Sequence, residues 1–388
     1  MNILYIMRYW PVYGGGETIT ATLANEFVRR GHNVFIAYQY DNVVSPMPYE
    51  VDSRIKTFKT HTIEKFGKND VMSLHNYIIN NNIDVMINQW GDSRLCAKAK
   101  KGTNCRLVIC WHLDVLRKYE QPVTVRKKVM LHLLGEKLYQ KYTSSSQMRE
   151  HDRNYKLSDK YIFLSDSFLK EYIKYTNINI NRNKVGAIPN PLTYHYFYDM
   201  NKFDTKEKEV LFVGRIYEYH KRLSYILNIW KKIERLSEFD GWHLTIVGDG
   251  PDMESTQEMA ERFNLRRISF EGFKNPRPYY ERASIFVMTS AFEGFGMTLV
   301  EAQQYGVVPM AMDTYGSLHD IITDGLNGVI IKDNDLDEYF IQLKKLMGNY
   351  DLRKKYAIEG LKTCSNFSSN TVVDRWEHVL SGMLNDRI

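Results

Sequence analysis

Apolar residues along this chain gather in short unbroken blocks, separated by longer stretches in which they recur every three or four positions. In the first half the blocks are Asn2 to Met7 (NILYIM), Val34 to Tyr38, Ile55 to Lys59, Ile83 to Asn88, Leu107 to Trp111, Lys160 to Leu164 and Val185 to Ile188. Blocks of this length, bounded by polar residues, predict strands buried on both faces. Between the first two, Ile19, Leu23 and Phe27 share one helical face, which stops at Gly31, a suitable left-handed cap. Strand alternating with helix predicts a doubly wound parallel sheet, with ligands outside the carboxyl ends of its strands.

The pattern breaks at Ile188-Pro189-Asn190-Pro191 and the charged stretch Asn201 to Glu209, which places a domain boundary there. It then restarts. Val210 to Val213, Leu244 to Val247, Ile268 to Phe270, Ala283 to Ser290 and Val307 to Met312 predict a second parallel sheet, with Leu223, Ile226, Leu227 and Trp230 on an intervening helix. The expected class is α/β, with Rossmann-like domains at 1–190 and 191–369. A last helix, Asn370 to Leu384, carries Val373, Trp376, Val379 and Leu380 on one face.

Composition narrows this picture by exclusion. The 388 residues are 44% hydrophobic and 25% charged, ordinary for a globular protein with two cores. No apolar run reaches the roughly 18 residues of a membrane-spanning helix. The opening MNILYIMRYW lacks the basic start of a signal peptide, so a cytoplasmic location is expected. Cys96, Cys105, Cys110 and Cys364 form no C-x-x-C pair, and neither a metal site nor a disulfide framework is expected.

Charge adds one feature. From Leu116 to Lys160 there are eleven Lys or Arg against five Asp or Glu, a surplus equal to the net +6 of the whole chain. Met130, Leu133, Leu134 and Leu138 recur there at helical spacing beside Arg126, Lys127, Lys128, Lys137 and Lys141. Such a segment could rest on an anionic membrane surface, at the inner face of the cell membrane. It equally suits a helix with its apolar face in the core and a solvated basic back. The second arrangement is the expectation. No recognition module accompanies the charge, so nucleic acid is not an expected partner.

Candidate chemistry centres on Ala291 to Gly306 (AFEGFGMTLVEAQQYG). After the Ala283 to Ser290 strand, the turn Glu293-Gly294-Phe295-Gly296 leads into a helix opening near Met297 and Thr298. Its free N–H groups and positive dipole end suit a phosphate. Glu301, about one turn inside that helix, and Glu293 before it can accept hydrogen bonds from hydroxyls of the same ligand. A sugar nucleotide meets the description, although an exposed helix-start glutamate and a solvated one would show the same spacing. Arg215 and Lys221 follow the strand Val210 to Val213, on the same sheet edge, where their cations could neutralise a diphosphate. Gly248-Asp249-Gly250 is a further turn on that edge, either beside the nucleotide or simply a strand exit. In the first half, Gly14-Gly15-Gly16-Glu17 opens a helix after the first strand without being G-x-G-x-x-G, which gives a nicotinamide cofactor little support. His112, with Asp114 two residues on, lies beyond the Leu107 to Trp111 strand, where chemistry would occur, although a lone His there could equally be a hydrogen-bonded structural residue.

Together these motifs resemble those of the GT-B glycosyltransferases, specifically the retaining family 4 group. Gly14 to Glu17, His112, Ile188-Pro189-Asn190-Pro191, Val213-Gly214-Arg215 with Lys221, Ile246 to Pro251, and Glu293 to Gly296 through Glu301-Ala302 carry the resemblance across nearly the whole chain. It implies two Rossmann-like domains facing across a cleft, 370–388 crossing back onto the first, and a nucleotide-diphosphate sugar as donor substrate. Arg215 and Lys221 would hold the diphosphate, Glu301 the ribose, and Glu293 a hydroxyl of the transferred sugar, with Gly294 to Thr298 lining the site. Gly15 and Gly16 would approach the distal phosphate and His112 the donor sugar. Glu17, with Asp114, would shape the side taken by a glycan or lipid-linked acceptor. No metal or other cofactor is implied. A nucleotide-sugar epimerase and a non-catalytic carbohydrate-binding relative are the alternatives; the first would convert donor without acceptor, the second would bind without turnover.

Overall fold

A computed structural model describes residues 1–12, 14–41, 50–60, 66–116 and 125–385. The chain divides into two compact units, Met1–Thr193 with Ser368–Ile388, and Tyr194–Phe367.

The first unit is built on seven strands, β1 (Asn2–Tyr9), β2 (Asn33–Tyr40), β3 (Lys56–Lys59), β4 (Val85–Asn88), β5 (Arg106–Trp111), β6 (Lys160–Phe163) and β7 (Val185–Ala187). They lie in the order β3-β2-β1-β4-β5-β6-β7, and every pairing is parallel. Ile3, Leu4, Tyr5, Ile6 and Met7 are all buried, as a central strand covered on both faces requires. The order reverses between β1 and β4, and this switch point opens the crevice in which such sheets take ligands. The helix Ser369–Asn385 buries Val372, Val373, Trp376 and Leu380 in this unit. Arg30 ties it down through Asp374 at 2.6 Å and Glu377 at 2.7 Å. Val379, expected on the buried face, is only half-buried; Val372 takes its place.

The second unit carries β8 (Glu209–Val213), β9 (His243–Val247), β10 (Ile268–Gly272), β11 (Ile285–Met288), β12 (Val308–Asp313) and β13 (Val329–Lys332), ordered β10-β9-β8-β11-β12-β13. All are parallel, and the switch point lies between β8 and β11. The helix Leu223–Ile233 buries Leu223, Ile226, Leu227 and Trp230 against this sheet, as its spacing predicts. Strand β13 has no counterpart in the sequence reading: four residues between Gly328 and a polar turn make too short a block to register. Strand β11 occupies only the middle of the predicted Ala283 to Ser290.

The basic amphipathic segment departs most from expectation. It belongs to the long helix Val125–Leu157, which is interrupted at Gly135 (φ 70, ψ 167). A positive φ there resets the helical phase, so residues on either side no longer share the face that an unbroken helix would give them. Beyond the break the inward positions are Tyr139, Thr143, Gln147, His151 and Asn154, all buried and four of them polar or ionisable. Leu133 is 76% exposed and Leu138 57%, and Val129 and Leu134 are exposed too. The core-facing arrangement is therefore wrong. Burying the polar face is tolerable where its groups are bonded: Ser93 donates to Asn154 at 2.7 Å, and His151 bonds the Tyr161 hydroxyl at 2.7 Å and the Val115 carbonyl at 3.0 Å. Arg117, Lys118 and Glu120, counted in the basic surplus, lie outside the described residues, as do the side chains of Arg126 and Lys128.

Candidate active site

In the second unit, both sides of the switch point carry candidate residues. Strand β8 ends at Val213, and the short helix Glu218–Lys221 delivers Lys221. Strand β11 ends at Met288, and the loop beyond it delivers Glu293. Lys221 Nζ lies 2.5 Å from Glu293 Oε1, with the two side chains 10% and 11% exposed. Burial alone would raise the Glu293 carboxyl, but the Lys221 charge and the nearby His220 outweigh it and hold the group well below the usual carboxylate range. The result is a nearly dry ion pair at the sheet edge.

Neighbours lock this pair in place. Thr289, fully buried, donates its hydroxyl to the carbonyls of Lys221 at 2.9 Å and Arg222 at 3.0 Å. His220 stacks on the Phe292 ring at 4.3 Å and bonds the Phe292 carbonyl at 2.7 Å through Nε2. A carbonyl only accepts, so Nε2 carries the hydrogen. The Ala291 amide returns a bond to the His220 carbonyl at 2.7 Å. Arg222 sits in the left-handed region at φ 49, held by Asp333 at 2.6 Å. Thr289, His220 and Tyr280 are functional candidates that the sequence reading passed over, because no spacing rule singles out side chains that act through a neighbour.

The loop Gly294-Phe295-Gly296 then enters the helix Met297–Gln304. Gly296 is its N-cap at φ 91, and a Cβ there would lie 2.8 Å from the Tyr315 hydroxyl. Phe295 is buried, edge-on to Phe367 at 5.4 Å, so its side chain anchors the loop rather than lining a site. Ser317 donates to the Phe295 carbonyl at 3.2 Å. Met297, Thr298 and Glu301 are all half-buried on the first turns of the helix. Glu301 accepts a bond from the Tyr280 hydroxyl at 3.1 Å.

Arg215 is exposed, its guanidinium 6.0 Å from the centre of the Tyr217 ring, and no carboxylate pairs with it among the described residues. Gly250 is explained by the protein itself: a Cβ there would lie 2.1 Å from the Ile216 carbonyl oxygen.

In the first unit, Gly15 and Gly16 open the helix Gly15–Arg29, the next element after β1, with Gly14 as N-cap. The Glu17 side chain folds back toward Gly14, and burial raises its carboxyl. His112 follows β5 and stacks on Trp90, which follows β4, at 4.7 Å and 22°. Its Nε2 is buried with no hydrogen-bond partner, and burial pushes the ring down to about 4, so the imidazole is neutral near pH 7. Asp114, two residues on, is buried, and its backbone carbonyl accepts from the Trp111 indole at 3.2 Å. Among the described residues no group of three potential metal-binding side chains is assembled, and the four cysteines are buried and unpaired.

Solved structures share this fold. The apo form of the lipopolysaccharide outer core galactosyltransferase WaaB superposes with a TM-score of 0.69 at 19% identity, covering 98% of this chain and 99% of that one. Anabaena Alr3699/HepE in complex with UDP-glucose gives 0.71 at 16% identity, covering 98% and 100%. Two family models divide the sequence between them, Glycosyltransferase Family 4 over residues 13–195 and Glycosyl transferases group 1 over 199–363. The chain belongs to the GT-B glycosyltransferases. Among relatives of this glycosyltransferase, the amylovoran biosynthesis glycosyltransferase AmsD of Erwinia amylovora is 25% identical over 380 residues, 95% of this chain and 96% of that protein. The lipopolysaccharide 1,6-galactosyltransferase of Salmonella typhimurium is 27% identical over 176 residues, but only 43% of this chain and 47% of that protein are matched.

Proposed function

We propose that this glycosyltransferase moves a sugar from a nucleotide-diphosphate sugar to a hydroxyl of a glycan or lipid-linked acceptor, with retention at the anomeric carbon, in surface polysaccharide or glycolipid assembly. The observation that carries the reading is the buried Lys221–Glu293 pair at the β8/β11 switch point, beside the loop and helix start at Gly294 to Thr298. AmsD is a glycosyltransferase of amylovoran biosynthesis, the Salmonella relative is a lipopolysaccharide galactosyltransferase, and HepE is in complex with UDP-glucose, which supports the donor and acceptor classes.

Breaking the anomeric bond leaves negative charge on the departing diphosphate and positive charge on the sugar ring. Lys221, exposed Arg215 and the amides at the start of the Met297–Gln304 helix would stabilise the first. Glu293 would take a sugar hydroxyl while keeping Lys221 aimed, and Glu301, oriented by Tyr280, would take the ribose hydroxyls. In the first unit Gly15 and Gly16 would meet the distal phosphate, neutral His112 would sit by the reacting sugar, and Glu17 and Asp114 would shape the acceptor side. Retention would place the incoming hydroxyl on the face the diphosphate leaves, with a phosphate oxygen taking its proton. Cationic side chains and amides at the leaving group make a metal unnecessary in this scheme.

No helix among the described residues is long and apolar enough to cross a membrane. We place the enzyme in the cytoplasm, held peripherally at an anionic inner membrane face by the exposed leucines and lysines of the helix Val125–Leu157.

Titration calorimetry with UDP, GDP and ADP, followed by turnover with the matching glucose and galactose donors with and without acceptor, tests the assignment. Saturable binding of one nucleotide and acceptor-dependent transfer are expected. No binding of any of them overturns it, and donor conversion without acceptor would make the protein an epimerase.

A further inference from the structure

Trp90 is the least expected member of the first unit's site. Its backbone is pinned from two sides: the amides of Gln89 and Trp90 both donate to the Ile6 carbonyl at 3.2 Å, across the β1/β4 switch point. The Asn88 side chain closes a ring around the same turn, donating to the Gly91 carbonyl at 2.9 Å and accepting from the Gly91 amide at 2.7 Å. The indole it fixes is 39% exposed, unusual for so firmly held a tryptophan. The ring touches two candidate residues. His112 stacks on it at 4.7 Å, and a Cβ built on Gly16 would lie 2.7 Å from its Nε1 and 3.1 Å from Cε2 and Cζ2. The neighbouring Gly15 has nothing within 4 Å of the same construction.

We infer that Trp90 is a positioning residue, a rigid spacer between the first turn of the helix Gly15–Arg29 and the His112 ring. Gly16 then lacks a side chain because Trp90 occupies the space one needs, and the contact with the distal phosphate proposed above is made by its backbone. The chemistry follows from the contacts. Nε2 of His112 is buried without a protein partner, so its usefulness to a sugar hydroxyl depends on the ring being held where that hydroxyl arrives. Stacking against an indole whose backbone is bonded to the central strand supplies that hold; a methyl group at position 16 would displace the indole and the imidazole with it. This deepens the functional reading and rests on it only where turnover is concerned.

Two readouts separate the inference from that reading. In protein with isotope-labelled histidine, the His112 ring signals, identified by their loss in His112→Asn, should move in Gly16→Ala and stay in place in Gly15→Ala. This needs no ligand and no activity. Equal movement in both variants, or none in either, overturns the inference. In turnover with UDP-, GDP- and ADP-glucose, Gly16→Ala should lose about a hundredfold in kcat while its donor KM stays within about twofold. Adding Trp90→Phe, a smaller ring that can still stack, should recover most of the loss. Calorimetry with UDP, GDP and ADP gives the opposing outcome: lost nucleotide affinity in Gly16→Ala that Trp90→Phe does not restore shows the ligand, not Trp90, excluding the side chain. Should Gly16→Ala fail to fold, Trp90→Leu removes the stack with Gly16 intact. It should lower kcat with nucleotide affinity retained, and full activity there overturns the proposal.

Discussion

Lys221 Nζ and Glu293 Oε1 stand 2.5 Å apart, although the residues are separated by 72 positions and arrive from opposite sides of a switch point. A pair this dry depends on both members: removing one leaves an uncompensated buried charge, which typically costs about 3–5 kcal/mol. Lys221→Ala should therefore lower the melting temperature of the second unit markedly, and Lys221→Ala/Glu293→Gln should be more stable than Lys221→Ala alone. Turnover should fall by about two to three powers of ten in either variant, as expected when one preorganised cation is lost from a leaving group. A double variant no more stable than the single one would show that the two side chains are not coupled, and calorimetric scans check this directly.

Two strand exits should be far less tolerant of a methyl group than Gly15 at the helix start in the first unit. A Cβ on Gly248, at φ 143, would lie 1.8 Å from the Gly214 carbonyl oxygen, and one on Gly250 2.1 Å from that of Ile216. Backbone cannot rotate away as a side chain would, so Gly248→Ala and Gly250→Ala should each cost more than about 3 kcal/mol. Gly15→Ala, with open space around its Cβ, should cost about 1 kcal/mol or less. Urea titrations of the three variants measure the contrast. Equal stability would mean the β8 and β9 exits can part without penalty.

The strands, the helix face of Leu223 to Trp230 and the motif at Glu293 were legible because short apolar blocks and helical spacing are local signals. The Lys221–Glu293 pair was legible only in part: strand order at a switch point brings the two loops to one edge, but no spacing rule predicts a contact across 72 positions. Trp90 was hidden because its neighbours Gly16 and His112 are remote in sequence and one of them has no side chain. The long helix misled for a different reason. Periodicity shows that a helix has two faces, yet the face turned inward is decided by partners. Tyr161, Ser93 and the Val115 carbonyl satisfy His151 and Asn154, so the polar side could be buried. Gly135 then broke the phase on which the apolar stripe was counted.

His112 should mark the acid limb of the stability profile. Burial lowers its folded value from 6.5 to about 4. The unfolded chain therefore takes up this proton first as the pH falls, so the folded state loses stability from 6.5 downward until about 4, and nothing is lost above that window. His112→Asn carries no such titration. The stability difference between wild type and His112→Asn should be constant above pH 6.5 and shift against wild type as the pH is lowered toward 4. Urea midpoints at half-unit pH steps check it, and a difference that does not change across the window would show that the imidazole is hydrated.

The exposed leucines of the helix Val125–Leu157 give the membrane reading its own test. Leu133 and Leu138 are 76% and 57% exposed, so replacing them with aspartate removes no core contact and should leave the melting temperature unchanged within about 0.5 kcal/mol equivalent. Lys137 and Lys141 lie on the same stretch, and each cation near an anionic surface contributes about 1 kcal/mol of attraction. A second copy docking through this exposed stretch would set its basic residues against one another, whereas an anionic bilayer neutralises them while the leucines on either side of Gly135 leave water. Sedimentation with vesicles containing phosphatidylglycerol should capture the wild type at low salt, more weakly at high salt because the lysine contribution is screened. Leu133→Asp/Leu138→Asp should stay in the supernatant at every salt concentration. Retention of that variant on vesicles, or concentration-dependent dimerisation of the wild type that it abolishes, would assign these leucines to something other than a membrane.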